Sequence, residues 1–121
     1  MIQSSQPRKQ RLFRATAPMH MRQNFVNVHI SKELSTKLGI KRRSIEVRKG
    51  DTVKVMAGDN KGKVGKVFEV SLKTGKVTIE GIAKKDSKSK DKPIHIYSSN
   101  LYLMDLDLTD KLRQAEVSKK K

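Results

Sequence analysis

A small, mainly β domain closed into a barrel, with a basic and partly helical stretch ahead of it, is the fold this sequence predicts. Three observations predict it. Short runs of β-branched and aliphatic residues between positions 46 and 104 alternate with the period of two that marks a half-buried strand. Glycine-containing turns punctuate those runs, most densely in the glycine-lysine stretch from Gly58 to Lys66. The hydrophobic residues are few, 35% of a 121-residue chain, and closing a barrel leaves so modest a core without exposed edges. The chain divides accordingly into a basic N-terminal extension with short helices (1–45), the barrel (46–104) and a short C-terminal tail (105–121).

Residues 1–16 are too polar to bury a core and are expected to have no fixed structure alone. Ala17-Pro18 predicts a helix start, since proline tolerates the first turn, and Met21, Phe25 and Val28 follow at helical spacing. A second short helix is predicted over 32–38. Ser31 can cap it, Glu33 sits near its positive end and Gly39 can end it. Lys41, Arg42 and Arg43 form a compact cationic cluster. Strands are predicted over 52–56, 66–72, 76–80 and 94–96, with a weaker one over 101–104. Lys73-Thr74-Gly75 reads as a hairpin turn, because glycine supplies the positive φ such turns need. Val53, Val55, Val67, Val70, Val77, Ile79, Ile94, Ile96 and Leu101 are the inward candidates, and Phe68 is assigned to the core from its place in a strand. The lysine, serine and aspartate run 84–92 is expected to be a mobile hairpin tip. In the tail, Asp105, Asp107 and Asp110 interleave with Leu106 and Leu108, residues 111–116 can form one or two helical turns, and Lys119, Lys120 and Lys121 are expected to be disordered.

The charge balance narrows the function. Twenty-eight Lys and Arg against 12 Asp and Glu give a formal charge of +16, an imbalance most easily tolerated when a polyanion neutralises it. A highly charged protein without an anionic partner is the bland alternative. An anionic membrane surface would call for an amphipathic helix bearing Trp, Phe and Leu on one face, and none is evident. There is no cysteine, which excludes disulfide staples and cysteine-ligated zinc and fits a reducing compartment. No apolar run approaches the ~20 residues of a membrane span, and no hydrophobic stretch follows Arg8 and Lys9 as a secretory signal requires. A cytoplasmic protein with no membrane anchor is the expectation.

Catalysis finds no support. His20, His29 and His95 fall in different predicted elements without a neighbouring nucleophile-base arrangement. The three tail aspartates lack the turn glycine and closing glutamate of a calcium loop, so they read as solvated carboxylates or partners of nearby lysines. The glycine-lysine loop lacks the Gly-Lys-Ser/Thr ending of a nucleotide-binding loop. No catalytic residue, metal, cofactor or small-molecule substrate is expected.

Binding is another matter. Aromatic residues make up only 4% of the chain and Trp is absent, too few for a base-stacking platform or a methyl-lysine cage. What remains is recognition of folded RNA by shape, phosphate and 2′-hydroxyl. Gly58, Gly62 and Gly65 would allow positive φ and close approach, Lys61, Lys63 and Lys66 supply charge, and exposed amides together with ammonium groups suit phosphate oxygens. The arginines concentrate before Arg48 and can grip phosphate bidentately, so the extension is expected to make the more specific contacts.

The segment Gly50-Asp51-Thr52-Val53-Lys54-Val55-Met56-Ala57-Gly58-Asp59-Asn60-Lys61-Gly62-Lys63-Val64-Gly65-Lys66-Val67 resembles the KOW motif of small SH3-like barrels in ribosomal proteins and transcription elongation factors. Flanking motifs extend the likeness: Ala17-Pro18-Met19-His20-Met21-Arg22, Ser31-Lys32-Glu33-Leu34, the series from Arg42 to Asp51, Val77-Thr78-Ile79-Glu80-Gly81-Ile82 and Pro93-Ile94-His95. Together these are similar to the large-subunit ribosomal protein family L-twenty-four, in its archaeal and eukaryotic form, over roughly residues 7–110. Lys49-Gly50-Asp51 leans archaeal. The resemblance implies a structural constituent of the large ribosomal subunit that binds large-subunit rRNA, helps assemble the subunit beside other ribosomal proteins, and sits at the peptide exit tunnel. Matching motifs nominate Arg22, Arg42, Arg43, Arg48, Lys49, Lys54, Lys61, Lys63 and Lys66 as rRNA-binding residues, and Arg8, Lys9, Arg11, Arg14, Lys41 and Gly62 join them by charge and position. One departure is Ile96-Tyr97-Ser98-Ser99-Asn100, a residue longer than the family pattern. An elongation factor would need a polymerase-docking domain of about a hundred residues that the extension is too short to supply. An RNA chaperone rests on charge alone.

Overall fold

The fold is a seven-stranded sheet with short helices around it, in a computed structural model that describes residues 2–88 and 90–118. The strands are β1 (Asn27–Ile30), β2 (Ser44–Glu46), β3 (Thr52–Val55), β4 (Val64–Ser71), β5 (Lys76–Lys85), β6 (Asp91–Tyr97) and β7 (Leu101–Asp105). They hydrogen-bond in the order β2-β1-β7-β3-β4-β5-β6. Every neighbouring pair is antiparallel except β1 and β7, which run parallel. The helices are α1 (Pro7–Thr16), α2 (Met19–Arg22), α3 (Lys32–Leu38) and α4 (Lys111–Ser118), with 3-10 turns at Gln23–Val26 and Ser98–Asn100.

The alternation that marks the strands also builds the core. Val53 and Val55 on β3 face Leu103 and Leu101 on β7 in register, and all four are essentially inaccessible. Val67, Val77, Ile79 and Ile96 join them, with Val70 and Ile94 packed at the margin, as expected. One core unites Val28 and Ile45 at one end of the strand order with Ile96 at the other. Helix α3 has its predicted bounds. Ser31 Oγ accepts the Leu34 N–H at 3.2 Å, and Gly39 ends the helix at φ +62°.

Several expectations are corrected. Residues 1–16 are not without fixed structure, since α1 begins on Pro7 at its first turn. Phe13 meets the Phe25 ring edge-on at 6.1 Å between centroids, and Arg14 lies over the same ring at 5.3 Å. A helix this short is marginal alone, and these contacts, with the Arg22 bonds to the Ala15 and Ala17 carbonyls, tie it to the rest of the fold. The helix expected from 17 through Val28 is only α2 plus a 3-10 turn, and Val28 belongs to β1. Apolar residues three and four apart imitate a helix there, but pairing with β2 and β7 satisfies the backbone of residues 27–30 instead.

The hairpin arms β5 and β6 reach farther into the 84–92 run than predicted, with Lys84 opposite Lys92 and Lys85 opposite Asp91. Backbone pairing needs no apolar side chains, and an ion pair of 2.8 Å between Lys92 and Asp86 crosses the tip. Pro93 is accommodated because β6 is last in the strand order. Ser89 of this tip and the C-terminal lysines 119–121, expected to be disordered, lie outside the described residues.

Phe68 is not in the core; it is 51% exposed. Val67 pairs with Ile79 and Glu69 with Thr78, so a bulge inserts one residue into β4 at Phe68. That insertion is how both Val67 and Val70, three apart, can face inward while Phe68 faces out.

The tail is held by an ion pair between residues far apart in sequence. Arg113 on α4 is 2% exposed and donates to both carboxylate oxygens of Asp51 at 2.6 Å. It also donates to the carbonyls of Glu46 and Asp107. Asp51, fully buried, accepts the backbone N–H groups of Arg48 and Asp107 as well.

Candidate nucleic-acid interface

Residues 56–63 link β3 to β4 and carry the glycine-lysine signature. Gly58 and Gly62 adopt φ of +95° and +88°, with open space where a side chain would be, so conformation rather than crowding requires glycine there. The loop closes on itself. Gly62 N–H donates to the Val55 carbonyl at 2.8 Å, Val55 N–H to that of Lys63 at 2.9 Å, Lys61 N–H to that of Gly58 and Lys63 N–H to that of Asn60. The amides of Lys61, Gly62 and Lys63 are therefore spent inside the loop, whereas those of Ala57, Gly58, Asp59 and Asn60 make no such bond among the described residues.

Gly65 departs from the expected role in another way. It has no positive φ, and a Cβ built on it would lie 2.7 Å from Ile79 Cγ2 and 2.8 Å from the Glu80 carbonyl oxygen. The close approach it permits is to β5 of its own sheet. Gly65→Ala is expected to cost about 1–3 kcal/mol of stability by overpacking, measured by urea denaturation. An unchanged midpoint would contradict this packing.

On the outer face of β3 and β4, Lys54 alternates with buried Val53 and Val55, and Lys66 stands beside Val67. Cross-strand register puts Lys54 between Tyr102 and Val64, and Tyr102 beside His29 on β1. His29, Tyr102, Lys54 and Val64 thus form a row across four strands, with the His29 and Tyr102 rings edge to face at 6.2 Å. Lys61 and Lys63 stand on the adjoining loop, where Lys63 Nζ donates to Asn60 Oδ1 at 2.9 Å. The row was legible as far as Leu101 and Leu103 alternate with Tyr102, but it depends on the pairing of β1 with β7, which has no local signal.

The remaining nominated residues separate into two populations. Arg8, Lys9, Arg11, Lys41 and Arg43 are exposed, with no side-chain partner among the described residues. Others are engaged within the fold. Arg22 donates to the carbonyls of Ala17 and Ala15 at 2.8 and 2.9 Å and so closes the C-terminal end of α1. Arg42 pairs with Glu116 at 2.9 Å and Arg48 with Asp110 at 2.8 Å. Arg14 lies over Phe25 and Lys49 over Phe68. Many arginines of the extension therefore fasten the protein to itself, and lysines dominate the β3–β4 face.

The acids explain part of this sorting. The Leu112 backbone N–H, then Arg48, hold the Asp110 carboxyl below its ordinary range, and the Thr109 hydroxyl and backbone N–H do the same for Asp107. The tail aspartates are exposed, as expected; Asp110 pairs with Arg48, and Asp107 bonds to Thr109 and feels the charges of Arg113 and Lys66. No group of three metal-ligating side chains occurs among the described residues, and none of their helices is long and apolar enough to cross a membrane.

Comparison with known proteins gives the family of the chain. Residues 4–120 match the family of ribosomal proteins described as L26 in eukaryotes and as L-twenty-four-P in archaea. The protein named large ribosomal subunit protein uL24 from Methanocella arvoryzae is 49% identical over 122 residues, covering 99% of this chain and 95% of that one. Its namesakes from Pyrobaculum islandicum and Saccharolobus solfataricus are each 42% identical over 118 residues, covering 98% of this chain and 94% and 98% of theirs. The chain belongs to this archaeal and eukaryotic family of ribosomal proteins, whose members are structural components of the large subunit rather than enzymes.

Proposed function

We propose that this protein grips large-subunit rRNA by phosphate and shape contacts, contributes to assembly of the subunit in the cytoplasm, and sits near the peptide exit tunnel. The observation that carries the RNA reading is the clustering of Lys54, Lys61, Lys63 and Lys66 on one outer face and its loop. None of the four has a carboxylate partner among the described residues, in a chain of charge +16. Such a face attracts a phosphate backbone through release of counterions. Arg8, Lys9 and Arg11 on α1, with Lys41 and Arg43, extend the footprint, while Arg22, Arg42, Arg48 and Lys49 serve it by holding its elements in place. Gly62 contributes a loop conformation rather than an amide donor.

We read residues 46–104 as an SH3-like barrel, 1–45 as its extension and 105–121 as its tail. The barrel reading rests on the core that Leu101 and Leu103 of β7 share with Ile96 of β6, at the two ends of the run β7-β3-β4-β5-β6, though no hydrogen-bonded pairing of β6 with β7 closes the sheet among the described residues. The extension packs through β1 and the tail through Arg113 and Val117.

Sedimentation of a cell extract in moderate salt is the direct test. Comigration with the large subunit, persisting until high salt strips the protein, is expected. Migration with RNA polymerase, or as a free small protein, would overturn the reading in favour of an elongation factor or a chaperone.

A further inference from the structure

The lysine-rich face leaves another side of the molecule unexplained. Phe68, thrust outward by the β4 bulge, stands between two hollows. The larger, of 540 Å³, lies between the end of β2 and the second half of β4, where Val26, Val47, Val70 and Leu72 line it with Phe68, and Glu46, Arg48 and Lys49 supply its charges on the β2 side. The smaller, of 340 Å³, carries Glu80 and Asp91 on the opposite flank. Glu69, beside Phe68 on β4, also borders the larger hollow. Four of the chain's 12 acidic residues thus surround one exposed aromatic ring, in a molecule that is otherwise strongly cationic.

The charges here are unevenly satisfied. Arg48 is committed to Asp110, and Lys49 lies over the Phe68 ring at 5.4 Å. The Glu46 and Glu69 carboxylates have no hydrogen-bonding or ion-pair partner among the described residues. Burial pushes the Glu46 carboxyl up from its ordinary value, and the charge of Glu116 adds to this against the pull of Arg48 and Arg113. A partly desolvated carboxylate beside an apolar groove is relieved by an incoming cation. A phosphate backbone would meet the unpaired Glu46 and Glu69 carboxylates there, while Lys49 occupies one face of the Phe68 ring and leaves the side toward Val70 to an apolar group.

We propose that Phe68 and the groove beside it form a docking site for a basic segment of a neighbouring protein. An aliphatic or aromatic side chain of that segment packs on Phe68 and Val70, and an arginine or lysine reaches Glu46 and Glu69. The groove, of 540 Å³, is large enough to take side chains of a docked segment, and its unpaired carboxylates favour a cationic partner. The molecule therefore has two faces of opposite preference, lysines for RNA and an acid-ringed aromatic for protein.

The test places a benzophenone amino acid at position 68 of the full chain, irradiates isolated large subunits and maps the adduct by mass spectrometry. A second probe at Val64 marks the lysine face. The expected result is a protein adduct at 68 whose crosslinked peptide is net cationic, against RNA adducts at 64. Glu69→Lys alone, at an exposed position, should cut the protein adduct severalfold, and Glu46→Lys with Glu69→Lys tenfold or more, with cosedimentation unchanged. RNA adducts at 68, no protein adduct, or an adduct indifferent to charge reversal would each overturn the proposal. It rests on the ribosomal reading, so a chain that fails to cosediment overturns both. A sedimenting chain without the adduct overturns the groove alone.

Discussion

Arg113→Met is expected to destabilise the protein by about 3–5 kcal/mol, the loss typical when one partner of a buried ion pair is removed. Asp51 would remain at 0% exposure, accepting the N–H groups of Arg48 and Asp107 but with no cation beside it. Four segments lose a common tie, because Arg113 joins α4 to Asp51 ahead of β3, to Glu46 at the end of β2 and to Asp107 in the tail. Adding Asp51→Asn should recover part of the loss, since a neutral amide suffers less from burial without a cation. The two single losses should therefore exceed the double loss when summed, which a double-mutant cycle in urea measures. α4 should become protease-sensitive in the single mutant at temperatures where the sheet remains folded. A loss below about 1 kcal/mol would mean that the pair is open to water in solution and does not hold the tail.

Replacing Lys54, Lys61, Lys63 and Lys66 together by Ala should weaken binding to deproteinised large-subunit rRNA on the order of a hundredfold at physiological salt, with little change in stability. Each phosphate contact contributes roughly 0.7–0.9 to the slope of log affinity against log salt. Four lost contacts should flatten that slope by about three. Stability should hold because the four side chains form no ion pair among the described residues and Lys63 makes only a solvent-exposed bond, to half-buried Asn60. Filter binding across a salt series measures both quantities. An unchanged slope would move the RNA contacts elsewhere, and unfolding of the variant would show that these lysines support the fold.

How far these residues were legible depended on the distance over which their information acts. Strand β3, the turn at Gly75, the Ser31 cap and Gly39 at the end of α3 are written in residues a few positions apart. Alternation, a side-chain oxygen before a helix and a left-handed glycine are local choices that the backbone makes the same way in most contexts. The lysine loop was legible for the same reason, though not the internal use of its amides.

Charge and composition by themselves pointed to a polyanionic partner and to a modest β core. Only the tertiary structure decided which cations are free. Arg48 finds Asp110 and Arg113 finds Asp51 across 62 residues, and Arg42 finds Glu116 across 74. It also decided that a bulge turns Phe68 outward, that Phe25 fixes α1, and that β1 lies beside β7. Such outcomes follow from which surfaces meet when the sheet folds and the tail packs. A charged side chain written in sequence can then become a surface contact or a buried tie, according to whether folding places an acid within hydrogen-bonding reach.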